Sequence, residues 1–173
     1  QIEVIVRPAK REAVSLTASG QGTVTPKREI GLVSQVSGSV VWVASEIDDG
    51  AFFKTGAHII QIDKRDYEAA LSTANARVSA ARRALAEEQG RARQAKREWR
   101  DLGSSSANEL FLREPQLAEA RSELSAAEAT AQLAAVNLER TSIVAPFDGR
   151  IDKLHVDLGQ YVSAGTRIAD IYD

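Results

Sequence analysis

Gly50-Ala-Phe-Phe-Lys-Thr-Gly56-Ala-His-Ile59-Ile-Gln-Ile62 and Gly159-Gln-Tyr-Val-Ser-Ala-Gly165-Thr-Arg-Ile168-Ala-Asp-Ile171 are one pattern written twice. Both read Gly-x-x-apolar-x-x-Gly-x-x-Ile-x-x-Ile. Each is preceded by Gly-x-apolar, as Gly38-Ser-Val40 and Gly149-Arg-Ile151. The glycines supply turns and the apolar positions supply short strands. Neither set can bury its apolar face alone, so the spacing predicts that the two pack on each other as one β-domain.

What separates the copies is of another kind. Residues 64–140 are dominated by Ala, Arg, Glu, Leu and Gln and hold few β-branched residues, a helical composition between two strand-forming flanks. From Tyr67 a seam runs Leu71, Ala74, Val78, Ala81, Leu85, Glu88, Ala92, Ala95, Trp99 and Leu102, alternating steps of four and three. That is a heptad pattern, with Glu88 its one clear breach. A stop follows at Gly103-Ser104-Ser105, and Ser106 with Glu109 has the spacing of a capping box. A second seam runs Leu110, Leu117, Leu124, Ala131 and Leu138, with Ala120, Ala127 and Ala134 between. The reading is two helices, near 64–102 and 106–140, with Pro115 bending or opening the second near its start.

Two heptad helices joined by so short a turn lie antiparallel, projecting about 50–55 Å at 1.5 Å per residue. The first is mostly basic (Arg77, Arg82, Arg83, Arg91, Arg93, Lys96, Arg97, Arg100) and the second mostly acidic (Glu109, Glu114, Glu119, Glu123, Glu128, Glu139). Opposite signs favour pairing across the hairpin. The fold class expected is α+β, a split β-domain interrupted by a long antiparallel coiled-coil hairpin.

Composition excludes several functions. The 22 Lys+Arg and 24 Asp+Glu residues leave a net charge of −2, so there is no global basic field for nucleic acid. The basic run Arg91–Arg100 shares the hairpin seam and reads as a solvated helix face. No cysteine is present, which removes disulfides, thiolate metal sites and a cysteine nucleophile. His58 and His155 stand about a hundred residues apart without clustered ligands. Ser104, Ser105 and Ser106 have no nearby histidine, Gly-x-Ser-x-Gly is absent, and Gly20-Gln-Gly22 lacks the rest of a dinucleotide fingerprint. No enzyme, metal or cofactor is expected. No apolar run reaches the ~18–20 residues of a membrane span. The chain opens on Gln1 and reads as a trimmed piece.

The glycine repeat resembles the biotinyl/lipoyl carrier, with Asp63-Lys64 where the carrier's Asp-Lys turn would be. The second half should then follow within a few residues, but about eighty intervene, so Lys64 is expected to start a helix and to stay unmodified. A lipoyl-like fold split by an α-hairpin is similar to the periplasmic adaptor, or membrane-fusion (haemolysin-D-like), family of tripartite efflux pumps, most of all the resistance–nodulation–division adaptors. Leu138-Glu-Arg-Thr141-Ser-Ile143-Val-Ala145-Pro146-Phe147-Asp148-Gly149 resembles that family's exit from the hairpin, and Val36-Ser-Gly38-Ser-Val40 its entry into the first lipoyl half.

The resemblance implies four tracts: 1–32 a partial β-barrel-type segment, 33–63 the first lipoyl half, 64–140 the hairpin with its turn near 103–105, and 141–173 the second lipoyl half. It implies a periplasmic adaptor, associated with the inner membrane through parts outside this chain. Its partners would be an inner-membrane transporter, an outer-membrane channel and copies of itself in a ring, with export of drugs or other small toxic compounds. The channel would meet the hairpin tip: Trp99, Arg100, Leu102, Gly103, Ser104, Ser105, Ser106 and Leu110. The pump-type tip pattern, Arg-x-x-x-Leu-x-x-x-x-x-x-Ser, is not matched: with Leu102 as its leucine, Glu98 and Glu109 stand where arginine and serine are expected. Two other readings fit part of the sequence, a coiled-coil scaffold unrelated to transport and a lipoyl/biotin carrier-like domain. The first leaves the glycine repeat unexplained and the second lacks its turn.

Overall fold

A computed structural model describes residues 2–45, 48–101 and 111–173. Eight strands and two helices follow in the order β1 (Glu29–Val33), β2 (Gly38–Val43), β3 (Phe52–Phe53), β4 (His58–Ile62), α1 (Arg65–Asp101), α2 (Glu114–Glu139), β5 (Ser142–Val144), β6 (Gly149–Leu154), β7 (Tyr161–Val162) and β8 (Arg167–Tyr172). The strands form two four-stranded sheets, β1-β8-β6-β3 and β5-β4-β2-β7, with every neighbour antiparallel. Each sheet therefore draws strands from both sides of the helices.

The repeat explains the topology. Exchanging β2 for β6, β3 for β7, β4 for β8 and β1 for β5 turns one sheet order into the other. Hydrogen bonds repeat in kind. Gly50 donates to the Ile151 carbonyl (2.7 Å) and Gly159 to that of Val40 (2.8 Å). Gly56 donates to Ala145 (2.8 Å) and Gly165 to Ser34 (2.7 Å). All four of these glycines are left-handed, with φ of 87°, 79°, 82° and 90° for Gly50, Gly56, Gly159 and Gly165. Only glycine occupies that region without steric cost, which is why the motif spells them at fixed intervals.

Between the sheets, Ile59, Ile60 and Ile62 of the first copy meet Ile151, Ile168 and Ile171 of the second, all fully buried. Each such side chain contributes about 1.5–3 kcal/mol of burial free energy. A half alone would leave its isoleucines in water, so the copies fold together or not at all.

The motif after the helices has local reasons too. Ala145 is buried, Phe147 tilts against Phe53 at 6.4 Å between ring centroids, and Asp148 accepts from the Thr55 amide (2.6 Å) and hydroxyl (2.8 Å). Those Thr55 donors hold the Asp148 carboxyl below the usual carboxylate range.

Both helices are seated on the sandwich. Tyr67 of α1 donates its hydroxyl to the Ser37 carbonyl (2.7 Å). Beyond α2, the buried Thr141 accepts from the Gln61 side-chain amide at its hydroxyl (3.0 Å) and its carbonyl (3.1 Å). Its carbonyl also takes the Ile62 amide (2.8 Å), and its hydroxyl donates to Leu138 (2.7 Å). At the other junction the Arg65 guanidinium lies on Asp63 and lowers that carboxyl to about 2. Lys64 stands just ahead of α1, its ammonium 2.9 Å from Glu68.

Residues 2–28 carry neither helix nor strand and are exposed, while Glu29–Val33 straddles the boundary expected at residue 32 and joins the first sheet as β1. No described helix is long and apolar enough to cross a membrane.

Candidate functional site

The far end of the helix pair is built from the seam upward. On α1, the positions turned away from solvent are Leu71, Ala74, Val78, Ala81, Leu85, Glu88, Ala92, Ala95 and Trp99. On α2, Leu117, Ala120, Leu124, Ala127, Ala131, Ala134 and Leu138 are half-buried. The helices run antiparallel, the first turns of α1 facing the last turns of α2 across Tyr67, Ala70, Ala74, Leu133, Ala134 and Asn137. Alanine on both seams lets the two backbones approach closely.

Charge pairing differs from the expected basic-to-acidic pattern. Among the described residues two ion pairs bridge the helical region. Arg82 to Glu128 (2.9 Å) has the expected polarity but is solvent-exposed, where such pairs contribute little. The second is reversed: the buried partner on α1 is acidic, Glu88, and the cation is Arg113, just before α2. The guanidinium engages both carboxylate oxygens through Nε and Nη2, the latter at 3.0 Å, and Arg91 stands 3.6 Å from Oε2. The heptad breach is thus a satisfied charge.

The second helix also starts later than expected. It begins at Glu114, with Pro115 in its first turn and Arg113 as N-cap in a left-handed conformation (φ 60°, ψ 28°). Pro115 does not bend a helix under way; it opens one, because its missing N–H costs nothing in a first turn. The Ser106–Glu109 capping box lies outside the described residues.

Of the expected tip residues, Trp99 and Arg100 are described, at the end of α1. Leu102, Gly103, Ser104, Ser105, Ser106 and Leu110 lie outside the described residues. The Trp99 ring meets Phe111, with centroids 5.0 Å apart and planes tilted by 56°. A groove of about 440 Å³ beside that pair is lined by Arg91, Gln94, Ala95, Glu98, Phe111 and Arg113. Arg113 and Phe111 were not singled out by the sequence reading, although a buried acid in a seam demands a cation within reach.

Elsewhere, Phe52 and Tyr161 occupy equivalent positions in the two repeats, and both point outward, 74% and 66% exposed. Arg150 lies over the Phe52 ring at 3.9 Å. His58 is hydrogen-bonded to the Ser142 hydroxyl and His155 to Asp170, each at 2.8 Å. The neighbours of Asp170, His155 first and then Arg167, hold its carboxyl below the ordinary range. Among the described residues no three potential metal ligands gather.

The clasp at Glu88 carries a sign that can be checked. Arg113 holds the Glu88 carboxyl below its ordinary value, with Arg91 adding to the effect. A carboxyl lowered on folding adds stability above its unfolded pKa and loses it as pH falls through the folded value. Glu88→Gln should therefore melt below the parent at pH 7, with the gap closing below about pH 4. A gap that stays constant from neutral to acid pH would show that the pair contributes nothing as ions.

A family profile described as "RND MFP, barrel-sandwich hybrid domain" matches residues 28–172. The multidrug resistance protein MdtA of Erwinia amylovora is 32% identical over 160 residues, an alignment covering 91% of this chain and 38% of that protein. MdtA of Cronobacter turicensis is 30% identical over 160 residues, covering 91% and 37%. The chain spans about two fifths of the length of these relatives. Among solved structures, a MacA–MexA chimera carrying the Pseudomonas aeruginosa MexA α-hairpin domain superposes with a TM-score of 0.63. It covers 86% of this chain and 47% of the chimera at 23% identity, a likeness of fold.

Proposed function

The chain belongs to the RND membrane-fusion-protein family through its barrel-sandwich hybrid domain, and on that premise we propose that it is the middle portion of a periplasmic efflux adaptor. In this reading the helix pair is a coiled-coil hairpin, and its end, from Trp99 to Leu110, docks on an outer-membrane channel. The sandwich packs beside copies of itself in a ring, where Phe52 and Tyr161 offer matched aromatic surface on two sides. Residues 1–32 belong with a neighbouring β-barrel region, apart from the strand that joins the sandwich. An inner-membrane transporter is engaged through parts outside this chain, and the cargo is drugs or other small toxic compounds, as the name of the MdtA relatives suggests. The role is binding and bridging; no reaction is assigned to it.

The observation that carries the reading is a helix pair rooted by half-buried hydrogen bonds in a sandwich of two interlocked repeats. Such an arrangement places one end far from the domain while fixing the other. A photo-crosslinking amino acid at Arg100 should yield an adduct with an outer-membrane channel protein in intact cells, whereas the same group at Arg83 should not. Equal labelling from both positions, or none from Arg100, would reject tip docking.

A further inference from the structure

Three features that are each unfavourable alone meet at one contact. Glu88 is the one buried charged residue among those described. Arg113 is the one described non-glycine residue with positive φ. And α2 starts with no side-chain cap. A buried ion pair is a poor source of stability, since apolar residues of like volume usually stabilise as much or more. Its best-attested use is specification: one polar contact in an apolar seam selects a register.

This seam needs such a mark. On α2, Leu117, Leu124 and Leu138 alternate with Ala120, Ala127 and Ala134 at steps of seven, so a shift of one heptad largely puts like on like. At the sandwich end, Tyr67 and Thr141 fix the helices. At the far end the described ties are the Trp99–Phe111 contact and the Glu88–Arg113 pair. Glu88 lies roughly three and a half turns before α1 ends. The pair therefore anchors the entry of α2 well back along α1.

We propose that Glu88 and Arg113 form a positioning clasp, fixing where α2 begins along α1 and so how the far ends of the two helices are held relative to each other for docking. The inference rests on the docking role proposed above and names residues that act on it without touching the partner.

The test is the double variant Glu88→Leu/Arg113→Leu, made with Trp42→Phe so that Trp99 is the sole tryptophan. Its melting temperature should equal or exceed the parent's, because the apolar pair replaces a half-buried ionic one whose acid is desolvated. Trp99 emission should nonetheless shift to the red as its packing on Phe111 loosens. Ethidium retention in cells expressing the protein should rise about tenfold, as expected when binding loses a preset geometry. Arg113→Lys, which keeps the charge but not the two-pronged fit, should fall between. It also serves if the double variant fails to fold.

Unchanged Trp99 emission and efflux in the folded variants would overturn the clasp. Leu102→Asp separates the two ideas. If it blocks efflux while the clasp variants do not, docking stands and the clasp falls. If it has no effect, docking falls, and the emission shift alone decides the clasp.

Discussion

Leu102→Asp or Leu110→Asp should abolish efflux while leaving the melting temperature of the chain unchanged. Helix ends leave backbone donors and acceptors unsatisfied, and the sequence here sets small hydroxyls between two leucines. A partner that covers such an end gains apolar burial and hydrogen bonds together. A carboxylate at a free hairpin end stays hydrated. Under a docked helix it is a charge without a partner, with a penalty of about 2 kcal/mol or more and so a loss of about thirtyfold or greater in affinity. Arg83→Ala, an exposed change midway along α1, should cost almost nothing. The measurement is ethidium or antibiotic susceptibility in cells with matched expression. Normal efflux from both leucine variants would show that the contact lies elsewhere.

Gly149→Ala should strongly destabilise the fold. A Cβ at Gly149 would lie 2.2 Å from the Tyr172 carbonyl oxygen and 3.2 Å from the Phe147 ring. Neither is the loose end of a flexible side chain: one is backbone of a neighbouring strand, the other packs against Phe53. Overpacking at a site that cannot yield costs about 1–3 kcal/mol, occasionally more, and this site should stand at the upper end. Gly50→Ala gives the scale for comparison. Space around Gly50 is open, so only its left-handed backbone is penalised, by about 1–2 kcal/mol. Urea denaturation should rank Gly149→Ala well below Gly50→Ala, with both below the parent. Gly149→Ala unfolding at the parent's midpoint would mean that the two strands separate freely, contrary to the packing described.

These two sites mark what the sequence disclosed and what it withheld. The repeated glycines announced the sandwich because a left-handed turn has one inexpensive residue, so conformation is written directly as composition. The seams were legible for a similar reason, since burial follows the helical period. Arg113 was not legible. Its partner Glu88 stands twenty-five residues away across a reversal of chain direction, and sequence spacing carries no trace of such a meeting. Nor was the start of α2 at Glu114, because from sequence alone Pro115 reads as a bend in a helix under way. Pro115 lies in the first turn of α2, where its fixed φ suits the helix and its missing donor costs nothing. The outward pair Phe52 and Tyr161 falls at unspecified positions of the repeat, which marks turns and core rather than outward faces.

Thr141 has a mechanical meaning. Its side chain and backbone are tied at once to β4 and to the end of α2, and it is almost completely enclosed. With α1 extending 37 residues, a swing of about 5° at this pivot would carry the distal end by about 5 Å at 1.5 Å per residue. That is enough to move a leucine from one hollow of a facing helix to the next. Aim at the outer end is thus a question of angular stiffness at the inner one, and a hydroxyl about 50 Å from the far end of α1 helps set it.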